Sequence, residues 1–334
     1  MRVSPRTRVA LVVAGLAALA AVGVVAAALL QDTAPSAVAP TTTGMATTAA
    51  KERPALELTV IDRDDSLARG LRTAERRFEQ GHRADAKHRF ATLEARYPES
   101  VEAQIGAAVV AWPDGTTEKL VAIAKAHPES AVAHLNLGLA RFADGDTDGA
   151  RTEWREAERR EPDAPAALRA EDLLNPRSPP GRPRFLAPGF PEDVASLPVE
   201  ERLAELERRA ESGGVDEWLH LGQALEQAGH RVSAQEAYDR AVDLDPQSLD
   251  ARVASAVARF DKDDPSKAFS RLGPLAAEQP DAAVVRFHLG LMLLWLPDLA
   301  EARTQLEAAR TSDPGGFYGE QAGRILEQLD MGGR

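Results

Sequence analysis

The chain contains no cysteine in 334 residues. Without a thiol it can form no disulfide, thiolate nucleophile, Cys-ligated zinc site or lipidated cysteine. The compact signatures of catalysis are missing too: no GxSxG elbow, no phosphate-binding loop and no dinucleotide fingerprint occurs. The seven histidines (His82, His88, His127, His134, His220, His230 and His288) form no HExxH or other close ligand spacing. Positive charge is not in surplus. The formal net charge is -12, and Arg alternates with Glu, as in "ERLAELERRAE" (201–211), in the manner of solvated helix faces. Nucleic-acid binding needs clustered Lys and Arg, so nucleic acid is not an expected partner. Carboxylates are plentiful but nowhere grouped with a base and an oxyanion donor. The expectation is a protein that is not an enzyme, with no cofactor, no metal ion and no small-molecule substrate.

A long apolar run is the first feature present. "MRVSPRTR" carries three arginines and no acid, and Val9 to Leu30 then runs 22 residues without a charge. At about 1.5 Å per residue such a helix crosses a hydrocarbon core of about 30 Å. The reading is a cytoplasmic tail at 1–8 and a single transmembrane anchor at 9–30, with the remainder extracytoplasmic because the arginines stay inside. A cleaved signal peptide is the alternative, with "AVA" (37–39) as its processing site. Secretory apolar regions span roughly 7–15 residues, and Pro40 suits a cleavage site badly. Residues 31–65 follow as a flexible Thr/Ala/Pro-rich spacer. Within it, "LELTVID" (56–62) shows a weak strand-like alternation suited to packing against the first helices. Heavy use of Ala and Arg with little Lys fits a GC-rich bacterial gene.

Fold class follows from an internal period. Pro246, Pro280 and Pro314 are 34 residues apart, twice. Unit 215–248 places Trp218, Leu221, Gly222, Leu225, Gly229, Ala234, Tyr238 and Ala241 before its proline. Unit 283–316 places Arg286, Leu289, Gly290, Leu293, Pro297, Ala302, Leu306 and Ala309 at the same offsets. Between them, 249–282 keeps Ala256, Ala268, Leu272 and Leu275. Unit 131–164 repeats the ladder with His134, Leu137, Gly138, Gly145, Ala150, Trp154, Ala157 and Pro162, and 67–98 keeps Ala74, Gly81, Ala86, Phe90, Leu93 and Pro98. Pro98 to Pro128 is only 30 residues, a shortening expected at the turn "WPDG" (112–115). This ladder resembles the tetratricopeptide repeat family, most closely in "WLHLGQALEQAGHRVSAQEAYDRAVDLDP" (218–246).

In physical terms each unit is two helices. Small residues such as Gly222, Ala234, Gly138 and Ala150 sit where the helices touch, aromatics pack towards the next unit, and proline stops the second helix. The expected fold is therefore all-α, a repeat solenoid with an inner groove, preceded by the membrane helix. It comprises an N-terminal array at 66–174, a proline-rich insertion or linker at 175–198, and a C-terminal array at 199–330 that includes a capping helix at 317–329. The insertion reads either as a break within one continuous solenoid or as a semi-rigid linker between two arrays. Phe185, Leu186 and Phe190 favour its lying against the array and covering part of the groove.

The resemblance also implies the groove residues, through the positions of the first helix that face inward in this family. Among these are Leu135, Leu139, Phe142, Gln223, Glu226, Val253, Val257, Phe260, Phe287, Leu291 and Trp295. The Lys/Asn set with which some family members clamp a terminal carboxylate is missing, so apolar or amphipathic peptide segments are the expected partners. The implied function is a membrane-tethered extracytoplasmic scaffold or adaptor for a polypeptide client, in envelope protein assembly or secretion. The alternative is a cytochrome c biogenesis-type protein holding an unfolded client. "DGDTDG" (144–149) imitates a calcium loop, but its twelfth position is Arg155 where a bidentate acid is required. The repeat register explains it as an inter-helix turn whose Asp146 or Thr147 caps the next helix.

Overall fold

The computed structural model describes residues 53–296 and 298–332, which form sixteen helices and no strand. The anchor expected at 9–30, the tail before it, most of the spacer and Pro297 lie outside the described residues. Among the described residues no helix is long and apolar enough to cross a membrane. The chain divides into two compact units, one ending at Leu174 and the other beginning at Asn175.

In the first unit the helices are α1 (Ser66–Glu79), α2 (Arg83–Arg96), α3 (Val101–Val110), α4 (Thr116–Ala126), α5 (Ala131–Ala143), α6 (Thr147–Arg160) and α7 (Pro165–Leu174). In the second they are α8 (Glu192–Ala195), α9 (Val199–Ser212), α10 (Val215–Ala228), α11 (Arg231–Leu244), α12 (Leu249–Val257), α13 (Ser266–Glu278), α14 (Ala283–Leu293), α15 (Leu299–Ser312) and α16 (Phe317–Gly332). Within each unit consecutive repeat helices pack on one another.

Recurrent short words in the sequence set the boundaries. The residue before each closing proline (Tyr97, His127, Glu161, Asp245, Gln279 and Asp313) is a helix C-cap with φ between −141° and −125°. Proline disfavours the helical region for its predecessor, so the second helix of each unit ends there. Two residues beyond the proline, Ser100, Ser130 and Ser248 accept the N–H of Ala103, Ala133 and Ala251 and start the next helix. The turn inside a unit needs a left-handed residue, supplied by Gly81 (φ 80°), Gly145 (φ 86°) and Gly229 (φ 89°). In "DGDTDG", Asp146 caps α6 by accepting the N–H of Gly149, and Asp144 accepts the hydroxyl of Thr117 at 2.7 Å.

Two expectations need correction. Residues 53–65 are not spacer. Leu56, Leu58 and Val60 are buried in one core with Leu71, Phe78, Phe90 and Ile105, because period-2 alternation gives this short stretch one apolar face to bury. The shortened unit loses three residues from each helix relative to α5 and α6 while its turn gains two, so the deficit is not confined to "WPDG". The Tyr238 ring lies on Gly222 and that of Trp154 on Gly138, each in its own unit, while Phe90 reaches forward to Gly106; Trp154 also shares a core with Ala166 and Ala170 of α7 in the following unit. The insertion 175–198 packs on the second unit: Phe185, Ala187 and Val194 belong to its core. The helices on either side of it divide accordingly, α7 packing on α5 and α6, and α9 on α10.

Gly222 of α10 faces the Tyr238 ring of α11. A Cβ there would sit 2.3 Å from the fully buried Tyr238 ring, which has no free space to enter. Gly222→Ala should therefore destabilise the second unit by about 1–3 kcal/mol through overpacking. Gly273 in α13 stands directly before Pro274, whose ring crowds a Cβ on a helical predecessor, so Gly273→Ala should also destabilise, by about 1 kcal/mol. Thermal melts of the two variants beside the parent protein check both.

Candidate functional site

The inner face of the second unit is built by α10, α12 and α14, with Tyr318 of α16 beside it. Against it lies "GRPRFLAPGF" (181–190), in which Pro183 and Pro188 forbid a helix. An extended main chain that leaves water without a ladder must find its hydrogen bonds on side chains. Phe185 N–H donates to Glu226 Oε2 at 3.1 Å, Leu186 N–H to His288 Nε2 at 3.1 Å, and Ala187 N–H to Gln223 Oε1 at 2.6 Å. The carbonyls are met as well. Gly181 O accepts Trp295 Nε1–H at 3.0 Å, Leu186 O at 3.2 Å shares the Tyr318 hydroxyl with the closer Asp250 carboxylate at 2.7 Å, and Pro188 O accepts His220 Nε2–H at 3.1 Å. At the start of the segment Arg182 donates to the carbonyl of Phe260 and Lys262 donates to that of Pro179. The Phe185 ring is fully buried, stacked on His288 at 4.7 Å and edge-on to Tyr238 at 5.7 Å.

The tautomer of His288 follows from its two partners. Val284 O can only accept, so Nδ1 carries the proton at 2.8 Å from it, which leaves Nε2 a lone pair for Leu186 N–H. Burial pushes the imidazole down to about 4, so the neutral form that this pairing needs is held. Burial acts the other way on Glu226, pushing its carboxyl up to about 7 although Tyr238 and Phe185 N–H both donate to it.

The first unit repeats this arrangement with a different segment. Glu57 N–H donates to Asn136 Oδ1 at 3.1 Å while Asn136 Nδ2 donates to Glu57 O at 2.8 Å, so one amide side chain pairs both main-chain groups of one residue. Leu58 N–H donates to Glu75 Oε1 at 2.7 Å, and burial pushes Glu75 up to about 7. Arg169 adds an ion pair to the Glu57 carboxylate at 2.7 Å. Asn136, His220 and His288 occupy the same position of their repeats, and all three bind extended main chain. The sequence marks that position by a polar residue in an apolar ladder, which is the one signal that could have identified these clamps. Glu75 and Tyr318 carry no such mark.

Of the eleven groove residues expected from sequence, only Phe142 stays exposed, at 55 %, tilted against Trp154. Leu135 and Leu139 are buried with Trp154 and Ala170 beneath α7. Val253, Val257, Phe260, Phe287 and Leu291 are closed into the second unit's core. Gln223, Glu226 and Trp295 do face the groove, but their polar atoms are taken by the chain's own segment. The groove of the second unit is thus a filled site. Among the described residues no group of three or more His, Asp or Glu is placed to hold a metal ion.

A carboxyl whose pKa is higher folded than unfolded holds its proton more tightly in the folded state. Its burial penalty is absent below the usual 4.5, grows as the pH rises towards about 7, and is complete above that. Glu226→Gln keeps an oxygen to accept Phe185 N–H and the Tyr238 hydroxyl, but it cannot ionise. It should match the parent protein at pH 5 and exceed its stability at pH 8 by about 1–3 kcal/mol. Denaturant unfolding at the two pH values measures the difference.

Two family models, both described as tetratricopeptide repeat, match the chain. One covers residues 215–260, the other 71–119, 117–165 and 256–317, and together they span more than half of it. Similar solved structures include a tetratricopeptide repeat protein from Parabacteroides merdae, at 12% identity over 79% of this chain and 99% of that one, with a TM-score of 0.33. Yeast Tom70 shows 14% identity over 80% of this chain and 53% of its own, with a TM-score of 0.30. The P58(IPK) TPR domain shows 12% identity over 79% and 99%, with a TM-score of 0.26. No curated protein matches. The family models fall on both units and over the repeats read from the sequence, so the chain belongs to the tetratricopeptide repeat family, whose arrays are scaffolds for protein–protein interaction.

Proposed function

We propose that this protein is a scaffold that captures extended polypeptide segments on its inner helix faces, and that residues 181–190 occupy the second unit's groove in the absence of a client. One observation carries this reading. Side chains of α10 and α14 satisfy the main chain, not the side chains, of the segment they hold. Main-chain recognition is largely independent of sequence, so the same face suits any extended segment that can place an aromatic side chain in the Phe185 pocket. In the first unit the client contact falls on Phe142, the exposed member of the inner set. We further propose that the scaffold is tethered to a membrane by residues 9–30 and faces the extracytoplasmic side, in envelope protein assembly or secretion. The charge-free run behind three arginines supports the tether.

Replacing 181–190 with a Gly/Ser linker of equal length should open the site. A fluorescent peptide of sequence 179–191 should then bind the variant saturably at micromolar concentration, and the parent protein at least about tenfold more weakly because its own segment competes. A folded variant that fails to bind the peptide would remove the groove reading. Phe185→Ala, which leaves the backbone contacts in place, should shift binding in the same direction to a smaller extent. For the tether, the full chain should resist alkaline extraction from membranes and a chain lacking 1–30 should not. Extraction of both would overturn it.

A further inference from the structure

The two clamped segments carry the same short word. The first reads Arg53-Pro54-Ala55-Leu56-Glu57-Leu58 and the second Arg182-Pro183-Arg184-Phe185-Leu186-Ala187. Laid on one another at their prolines, they match in burial and in partners. Pro54, Leu56 and Leu58 are buried, as are Pro183, Phe185 and Ala187, and the residues between them are more exposed. That is the period of an extended chain with one face turned inward. Three residues after the proline, the N–H donates to Asn136 in the first unit and to His288 in the second, at 3.1 Å in both. The next N–H donates to Glu75 at 2.7 Å and to Gln223 at 2.6 Å. Asn136 and His288 are each the sixth residue of their repeats (131–164 and 283–316), and Glu75 and Gln223 each the ninth (67–98 and 215–248). In both arrays the ninth-position clamp belongs to the first of three consecutive repeats and the sixth-position clamp to the third. Arg53 and Arg182 each donate to a phenylalanine carbonyl, of Phe78 and Phe260, at the twelfth position of a repeat.

The clamps differ in chemistry, amide against imidazole and carboxyl against amide, while the main-chain register they serve is the same. The proline fits that register because it has no N–H to leave unpaired when buried. We propose that the inner face of each unit is a site for one class of polypeptide segment, an extended Arg-Pro-x-apolar-x-apolar strand, and that the first unit holds a second client site beneath residues 53–60. This rests on reading 181–190 as the occupant that a client replaces, and it narrows the client from any extended segment to this class. The two sites differ four residues after the proline, where the first encloses Leu58 and the second Ala187. Ala187 lies in a packed core with no room for a leucine, so the second site selects a small residue there. Phe142 stays accessible on α5 while 53–60 is seated.

The test uses the full chain with 181–190 replaced by the Gly/Ser linker, titrated with fluorescent peptides. A peptide of residues 50–62 matches 179–191 position for position. Carrying Leu56→Phe and Leu58→Ala, it should bind within about tenfold of the 179–191 peptide. Unsubstituted, it should bind at least about tenfold more weakly than that doubly substituted form. One Ala inserted between residues 56 and 57 of the substituted peptide turns its apolar residues to opposite faces, and saturable binding should be lost up to millimolar concentration. Gln223→Met in the opened chain, its melting curve compared with that of its parent, should weaken both binding peptides by a similar factor of about ten. For the first unit, Leu56→Ala in the otherwise unaltered chain should bind the unsubstituted 50–62 peptide at least about tenfold more tightly than the parent protein does. If 179–191 binds and the substituted 50–62 peptide does not, the shared word is overturned and the groove reading stands. Equal binding of the spaced peptide, or unchanged binding in Gln223→Met, overturns the shared register. Equal binding of the unsubstituted peptide overturns the size selection, and no gain in Leu56→Ala overturns the second site. A folded opened chain that binds neither peptide overturns both readings.

Discussion

A main chain that is neither helix nor sheet cannot be buried unless something else completes its hydrogen bonds. That constraint organises both units of this protein. Each lays an extended segment, 54–60 in the first and 181–190 in the second, against a surface of helices whose own backbone groups are already paired. Only side chains remain to serve it. Asn136, Glu75, Gln223, Glu226, His220 and His288 do so, and each is a polar group that would be costly to bury alone. The segment and its clamps therefore explain each other. Removing either leaves the other with unsatisfied polar atoms in an apolar setting.

The choice of clamp has electrostatic consequences. A carboxylate accepts an N–H more strongly than an amide does, but its burial costs more. Glu75 and Glu226 have the same solution in two different units: a main-chain N–H donor each, and a carboxyl raised to about 7. His288 meets the same requirement from the other side, as a neutral ring whose tautomer is set by Val284 and Leu186. Its burial resists protonation and that of Glu226 resists ionisation, so the two groups pull the stability of the filled groove in opposite directions with pH. The ranges over which they act, about 4 to 6.5 for His288 and 4.5 to about 7 for Glu226, overlap, so the two effects largely offset each other.

Much of the architecture was legible because repetition multiplies a weak signal. One Leu-Gly step or one proline means little, but Gly138, Gly222 and Gly290, with the prolines closing their units, keep a common register. Turn glycines and N-cap serines recur at matching places, so helix boundaries followed from short words in the chain. The groove was less legible. The eleven inner positions were deduced as though they faced solvent, and all but Phe142 are covered. Position within a repeat gives the direction in which a side chain points, but it does not give what lies on top of it. Phe185, Leu186 and Phe190 hinted at the cover, since three large apolar residues in a proline-rich stretch have no reason to stay in water.

The sequence by itself determined the helix pairs, their order, the close approach at Gly222 and the role of "DGDTDG" as an inter-helix turn. These depend on local conformation and on a spacing that repeats along the chain. Only the tertiary structure decided that the chain forms two compact units, that 181–190 fills the second unit's groove, and that Asn136, His220 and His288 bind main chain. Those features join residues up to more than a hundred positions apart, such as Trp295 with Gly181. No periodicity records such a contact, because it depends on where an irregular segment comes to rest.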